Sequence, residues 1–239
     1  MRRSRTSIAV GIAASILAAL PATAAAAGVD QRSDHAALTA YRGYLHGIGA
    51  RIPAVRQAES AYVSSISNSC AGALDPLNHA SVSSVNQTAL FDFGEELGGG
   101  AFIVAYSPAH ASFATFAATL ARLHWSSPRT ASAVNRYVAA QDRLFALMPS
   151  DVCTDAQALA ASGAETIPPG TAQWVAQFRR DAAAQETASQ AFAKVLEGFE
   201  TPADEALVAS DNRLLRSLSG TLKRVSTSGA TKILNTLAG

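Results

Sequence analysis

Charged side chains are scarce in this sequence. Asp, Glu, Lys and Arg together make up 15% of the chain, against about 25% in an average globular protein, and no segment concentrates lysine and arginine. Because proteins bind the phosphate backbone through clustered positive charge, this scarcity argues against a nucleic-acid partner. The predicted helices also lack the face rich in lysine and arginine that draws an amphipathic helix onto anionic lipid. The surface is expected to be neutral and rich in small residues, as suits an exported protein.

Long apolar runs are also missing, except for one near the N-terminus. Three arginines precede an apolar stretch over residues 8–20, and small residues follow as far as Ala27. This order is typical of a secretory signal peptide. The stretch is shorter than the roughly 20 apolar residues that a membrane-spanning helix needs. Cleavage is expected after Ala24 or Ala27, with Ala27 favoured.

The signal peptide sets the predicted domain organisation. Residues 1–27 form the signal, and residues 28–239 form a single helical domain with a soft boundary at 164–170. The signal contains three of the 19 basic residues and none of the 18 acidic ones, so the mature chain has a net charge near −2. The predicted location is outside the cell, in the periplasm or in the cell envelope, with no transmembrane segment left after cleavage.

Cysteine is rare, and its two copies, Cys70 and Cys153, lie far apart in the sequence. In an oxidising compartment two such cysteines are usually joined. They lack the Cys-x-x-Cys spacing of a catalytic redox pair. We therefore predict a structural disulfide, which by closing a loop of about 80 residues would stabilise the fold by up to about 4.5 kcal/mol.

Familiar catalytic and cofactor motifs are absent. The chain has no Gly-x-Ser-x-Gly, Ser-x-x-Lys, Cys-x-x-Cys-His or His-Glu-x-x-His sequence, and no Glu is followed by His three residues later. Its five histidines are scattered over separate segments. The run Gly98-Gly99-Gly100 lacks the lysine or second spaced glycine of a phosphate-binding loop. We therefore predict no cofactor and favour a non-catalytic protein.

Helical periodicity dominates the rest of the chain, and no segment alternates polar and apolar residues as a β-strand does. The longest apolar stripe runs over residues 34–72 and is expected to bend near Pro53, which cannot donate a backbone hydrogen bond. Short connections between helices favour antiparallel neighbours. The predicted fold class is all-α: an antiparallel helical bundle of six or seven helices tied by one disulfide.

Several helix boundaries can be predicted from capping signals. Ser or Thr followed by Pro marks three helix starts, at Ser107-Pro108, Ser127-Pro128 and Thr201-Pro202. A short helix capped by Ser150 is expected to carry Cys153 and to end at Gly163. A long helix is expected over 171–199, and the last helix is expected to weaken at 226–229.

A further helix is predicted to begin at 82–85 and to contain Gly98-Gly99-Gly100. Each glycine costs roughly 1 kcal/mol relative to alanine in a helix. Either the helix breaks there, or another backbone packs unusually close to it. Its polar residues Asp92, Glu95 and Glu96 are expected on faces away from the apolar stripe.

Four residues are candidates for binding a ligand: Glu59, Asp92, Glu95 and Gln185. Glu59 occupies a stripe position that otherwise holds large apolar residues; we expect it to be solvated, the alternative being burial against a partner from another helix such as Arg143. Gln185 and Ser189 lie where the stripe of the 171–199 helix is thin, so either a bulky neighbour or a groove is expected there. A loose metal site from the three acids and one histidine is a less favoured alternative, and no metal is predicted.

The function predicted from these features is that of an exported helical bundle that acts through its surface. It would be a non-catalytic binding or structural protein of the cell envelope or exterior, with an unidentified protein or envelope partner. The alternative is a bundle that binds a small ligand or metal at a site inside it, near Gln185 or near Glu59 and the Asp92/Glu95 helix.

Overall fold

A computed structural model describes residues 31–79, 86–125, 127–198 and 205–238. These residues form seven α-helices and one 3-10 helix and contain no strand, so the all-α prediction is confirmed. The predicted signal peptide, both cleavage positions and the Thr201-Pro202 helix start lie outside the described residues. The helices are α1 (Gln31–Ala50), α2 (Ile52–Cys70), the 3-10 helix (Asp75–His79), α3 (Gln87–Leu120), α4 (Pro128–Phe145), α5 (Val152–Ala161), α6 (Pro169–Glu197) and α7 (Glu205–Leu237).

The predicted bend in the 34–72 segment divides it into α1 and α2. Helix α1 ends at Ala50, and the amide of Arg51 donates to the carbonyl of Ile48 at 2.9 Å in the turn. Pro53 lies in the first turn of α2, where its missing N–H leaves no helical hydrogen bond unmade. On either side of the bend, both α1 and α2 pack against α3.

Helix α3 differs from prediction because it does not stop before Pro108. The expected helix start at Ser107-Pro108 is wrong: α3 runs unbroken to Leu120 with Pro108 inside it. Arg51 binds this region from the α1–α2 turn, donating through Nη1 to the Pro108 carbonyl at 3.1 Å and through Nε to Ser112 Oγ at 2.8 Å. Burial of aromatic side chains on both sides of the proline offsets the lost helical hydrogen bond.

The other boundaries agree with the capping signals more closely. Ser127 caps α4 by accepting from the Thr130 amide at 3.4 Å, and α6 spans most of the predicted 171–199 helix. The cap of α5 is Asp151 rather than the expected Ser150, since the Asp151 carboxylate accepts from the Thr154 amide at 3.2 Å and from its hydroxyl at 2.8 Å. Gly163, with a φ of +60°, follows the end of α5 as predicted.

Helix α7 does not weaken at 226–229 but continues to Leu237, which corrects the prediction. Gly229 lies so close to α3 that a Cβ there would be 2.7 Å from the Cβ of Ala101. The glycine is therefore needed for close packing of two helices and does not mark an end. Residues 226–229 have low helix propensity, and packing of α7 against α3 and α2 stabilises the helix there.

Two apolar clusters form the interior around α3. The larger contains stacked and edge-on aromatic rings, including Tyr137 on Phe192 and Tyr44 on Phe116, with ring centroids 4.5 Å and 5.0 Å apart. The smaller surrounds the Cys70–Cys153 disulfide and joins α2, α3, α5 and α7. Over the described ranges, no helix combines the length and apolar character needed to cross a bilayer.

The predicted disulfide is present, with a Cα–Cα distance of 5.4 Å between Cys70 and Cys153. It joins the last residue of α2 to the first turn of α5. Helix α5 has only ten residues and buries a small apolar face. The bond therefore holds a short helix that would be marginal by itself.

Reduction of this disulfide is expected to lower the free energy of unfolding by about 2–5 kcal/mol. The measurement is urea denaturation of the protein with and without dithiothreitol. The double variant Cys70→Ser, Cys153→Ser is the control and should unfold at the reduced midpoint whether or not dithiothreitol is present. An unchanged midpoint on reduction would contradict a stabilising role.

Candidate ligand-binding site between helices α5 and α6

The predicted site residues Asp92 and Glu95 both bind one arginine of α6. Arg179 Nη2 lies 2.7 Å from Asp92 Oδ1 and 2.7 Å from Glu95 Oε2, and Nε lies 3.1 Å from both Glu95 oxygens. Asp92 is buried, contrary to its predicted placement on a polar face. The pair of acids thereby fixes α6 against α3, and a role for either acid in ligand binding stays a prediction.

Glu59 is buried rather than solvated, so the favoured expectation for this residue is wrong. Its side chain Oε1 accepts from Lys232 Nζ at 2.9 Å, and the residue is only 5% exposed. The partner comes from another helix, as the alternative required, but it is Lys232 of α7 and not Arg143. The close approach of α7 at Gly229 brings this lysine within reach.

Gln185 belongs to a buried polar network between α4 and α6. Its Nε2 donates to Gln141 Oε1 and to Ser189 Oγ, both at 2.9 Å. Gln141, Gln185 and Ser189 are all buried, so this thin stripe faces a polar side chain of α4 and neither a bulky apolar neighbour nor a groove. Within the parts of the chain that the structure covers, no cluster of three or more His, Cys, Asp or Glu could hold a metal ion.

A cleft that the sequence analysis did not anticipate lies where the first turns of α5 and α6 meet. It has a volume of about 640 Å³, within the usual size range for small-molecule sites. Trp174 forms part of its wall and is nearly buried. The polar residues that line the cleft are Ser150, Asp151, Thr154, Asp155, Gln173, Gln177 and Arg180.

Glu96 of α3 lies next to Asp155 and is fully buried. Its Oε2 accepts from the Thr171 hydroxyl at 2.6 Å, whereas Oε1 has no hydrogen-bond partner. Burial raises the pKa of Glu96 from its ordinary value of 4.5 to about 7; the Ser150 and Thr171 hydroxyls oppose this rise, and the Asp155 carboxyl adds to it. A buried carboxyl with one free oxygen is therefore positioned behind the residues of the cleft.

Glycines allow these side chains to approach the helices. A Cβ on Gly99 would be 2.6 Å from the Trp174 ring, and one on Gly100 would be 3.0 Å from the Tyr62 hydroxyl. The Asp155 carboxylate lies so near Gly170 that a Cβ at that position would overlap it. The helix therefore does not break at this run, and at Gly99 and Gly100 the space is taken by side chains of α6 and α2 and not by the backbone that the second alternative required.

Trp174 is held firmly in the wall of the cleft. Its Nε1 donates to the Met148 carbonyl at 2.8 Å, and its ring stacks on Phe178 with centroids 5.0 Å apart. The hydrogen bond ties α6 to the segment between α4 and α5. Trp174 is therefore a fixed part of the site and a natural fluorescent reporter for it.

The sequence contained a signal for part of this site. Glu96 follows Phe93 by three residues, which places the two on the same side of the helix, although Glu96 is expected from sequence to lie away from the apolar stripe with Asp92 and Glu95. Helix α3 is buried on nearly all sides in this region, and a one-sided stripe does not describe it. Nothing in the sequence indicated that Asp155 and Thr171 would meet Glu96.

The substitution Gly99→Ala is expected to destabilise the protein by about 1–3 kcal/mol, because the new methyl group collides with the stacked Trp174 ring. The matched control is Gly43→Ala in α1, where a Cβ would meet nothing within 4 Å. The control should gain up to about 1 kcal/mol from its higher helix propensity. Chemical denaturation followed by tryptophan fluorescence measures both, and equal effects would contradict the close packing at Gly99.

Glu96 should make the stability depend on pH. Its folded pKa of about 7 exceeds its ordinary value of 4.5, so its contribution is most favourable below about pH 4.5 and is lost as the pH rises towards 7. Each unit of difference is worth about 1.4 kcal/mol, so a loss on the order of 3–4 kcal/mol is expected.

The test is urea denaturation at several pH values between 4.5 and 8. Glu96→Gln should remove this loss, because an amide does not ionise, whereas Glu165→Gln at an exposed position should retain it. A wild-type profile with the same slope as the Glu96→Gln profile would show that Glu96 does not titrate in this range.

Comparisons with protein-family models, with curated proteins and with solved structures find no match to this chain.

Proposed function

We propose that this chain is an exported, non-catalytic binding protein of the cell envelope or exterior that holds a small polar ligand in the cleft between α5 and α6. The observation that carries this proposal is the carboxyl of Glu96. It is fully buried next to a polar cleft, and its Oε1 has no hydrogen-bond partner. Leaving a buried acceptor unpaired costs about 1–3 kcal/mol or more. A ligand that supplies the missing donor would offset this cost.

The proposed location is supported by two features of the chain. The N-terminal 27 residues have the charge and apolar pattern of a signal peptide. The Cys70–Cys153 bond is of a kind that persists in oxidising compartments. Both favour a protein that works outside the cytosol.

Binding is favoured over catalysis by how the hydroxyl groups around the cleft are engaged. The Thr171 hydroxyl donates to Glu96, and the Thr154 hydroxyl donates to the Asp151 cap. Thr171 is fully buried and does not line the cleft, and the Thr154 hydroxyl is used by the helix cap, so neither hydroxyl is presented to a ligand as a nucleophile. Such an arrangement positions hydrogen-bond acceptors for a ligand.

A second candidate function is binding of a protein partner through the surface beside the α4–α5 connection. A depression of about 340 Å³ lies there, lined mainly by apolar side chains such as Phe145 and Leu147. Met148 at its edge is 77% exposed. Exposed methionine is common at adaptable binding surfaces, which supports this alternative.

The proposal can be tested by thermal unfolding of protein expressed from the complete sequence and purified after export. A panel of cationic, neutral and anionic small molecules would be added at millimolar concentration. A ligand present at ten times its Kd adds about 1.4 kcal/mol of stability, so the Tm should rise by a few degrees. The mass of the purified protein would report at the same time whether residues 1–27 have been removed.

Two tryptophan variants of α5 would locate the binding. Ala158 lines the cleft, whereas Ala161 on the same helix is exposed outside it. Ala158→Trp should abolish the Tm shift, and Ala161→Trp should retain it. The proposal fails if no compound shifts the wild-type Tm or if both variants respond equally.

A further inference from the structure

We infer that the ligand of this cleft is an organic cation, with an ammonium or guanidinium group that binds Asp155 and takes the place of a proton on the neighbouring Glu96. The inference rests on the proposed function and adds to it the chemical class of the ligand. It also predicts that binding releases a proton.

The first step is the charge balance of the buried pair. Glu96 is fully buried and Asp155 is 6% exposed, and neither forms an ion pair with any Lys, Arg or His in the described part of the chain. Two adjacent carboxyls in a buried site do not both ionise without a compensating positive charge. In the absence of a ligand, a proton on Glu96 removes one of the two negative charges.

The second step is that nearby cations are engaged elsewhere. Arg179 of α6 binds Asp92 and Glu95, and Lys232 of α7 binds Glu59. Arg180 lines the cleft and keeps its positive charge there; its Nη2 donates to the neutral Gln177 Oε1 at 2.6 Å, and it forms no ion pair with Asp155 or Glu96 in the described part of the chain. Glu96 and Asp155 are therefore left without a basic side chain to pair with.

The remaining titratable groups near the pair are neutral or negative. On α2, Tyr62 faces Glu96 with a hydroxyl that has no partner, and burial together with the Glu96 carboxyl raises the Tyr62 pKa to about 12. At the start of α5, Asp151 lines the cleft, and its hydrogen bonds to Thr154 lower its pKa. Neutral hydroxyls come from Ser150 and from Thr171 of α6. The local charge therefore favours a cation over an anion.

The third step is access from the cleft. Asp155 lines the cleft, and its carboxylate lies against Gly170, which has no side chain to cover it. Ser150 also lines the cleft, and its hydroxyl lies beside the Glu96 carboxyl. A group with several N–H donors can reach Asp155 and Ser150 from here, whereas Glu96 is buried behind them.

An organic cation fits this site better than a metal ion. Calcium takes six to eight oxygen ligands, several of them carboxylates, and the described residues contain no cluster of three acids or histidines that could hold one. Ammonium and guanidinium groups need only a few hydrogen-bond acceptors, which Asp155, Asp151 and Ser150 provide in the lining of the cleft. The volume of about 640 Å³ admits a molecule the size of an amino acid or a polyamine.

The experiment is isothermal titration calorimetry of the exported full-length product with agmatine, putrescine and L-arginine. Sorbitol and succinate serve as neutral and anionic probes, and calcium chloride as the metal probe. Titration at pH 6 in two buffers of different ionisation enthalpy gives the number of protons released. We expect a cationic probe to bind with release of up to one proton and with a Kd about ten- to a hundredfold weaker at pH 5 than at pH 8.

Variants distinguish this mechanism from simple charge attraction. Glu96→Gln should still bind the cationic probe, more weakly at pH 8 than wild type, but without proton release and without the change in Kd between pH 5 and pH 8. Asp155→Asn should lose at least tenfold in affinity. Glu165→Gln should behave as wild type, and circular dichroism with thermal unfolding would confirm that each variant is folded.

Different failures would overturn different conclusions. If sorbitol, succinate or calcium binds in a manner blocked by Ala158→Trp while no organic cation does, the inference is wrong and the cleft remains a binding site. If a cation binds but Glu96→Gln releases the same number of protons, the assignment to this pair is wrong. If no probe binds, the proposed function fails together with the inference.

Discussion

Helix α3 contacts α1, α2, α4, α5, α6 and α7, and the close packing around it is the constraint on which the rest of the structure depends. Over much of its length α3 buries residues in every direction. Neighbours can come this close only where side chains are small. Gly99 and Gly100 accommodate rings from α6 and α2, and Gly229 of α7 lets that helix lie against Ala101.

This packing also determines which buried acidic side chains have a basic partner. Glu59 and Asp92 are buried, but Lys232 and Arg179 pair with them, as a buried charge requires. Glu96 has the Ser150 and Thr171 hydroxyls and an acid, Asp155, beside it and no basic partner in the described part of the chain. Its surroundings include the first turns of α5 and α6, whose positive dipole ends favour carboxylates nearby. A carboxyl that departs from the pattern of its neighbours is the natural place to look for function.

Local signals in the sequence were reliable where local physics decides the outcome. Pro53 divides α1 from α2 because it lacks an N–H, and Ser127 caps α4 through its own side chain. The same Ser-Pro signal at 107–108 lies inside α3, because burial on both sides of Pro108 outweighs a missing hydrogen bond. Gly229 likewise lies within a continuous helix, because contact with α3 outweighs its low helix propensity.

The sequence by itself determined the helical fold and the pairing of its cysteines. Periodicity and capping depend on residues within a few positions of one another, and only two cysteines were available to pair. Tertiary structure alone decided where the cleft lies and which carboxyl remains without a full set of partners. Glu96 and Thr171 are 75 residues apart, and both meet Asp155 of a third helix. Solvation and pairing of a carboxyl depend on what distant segments bring to it, so no local pattern in the chain records them.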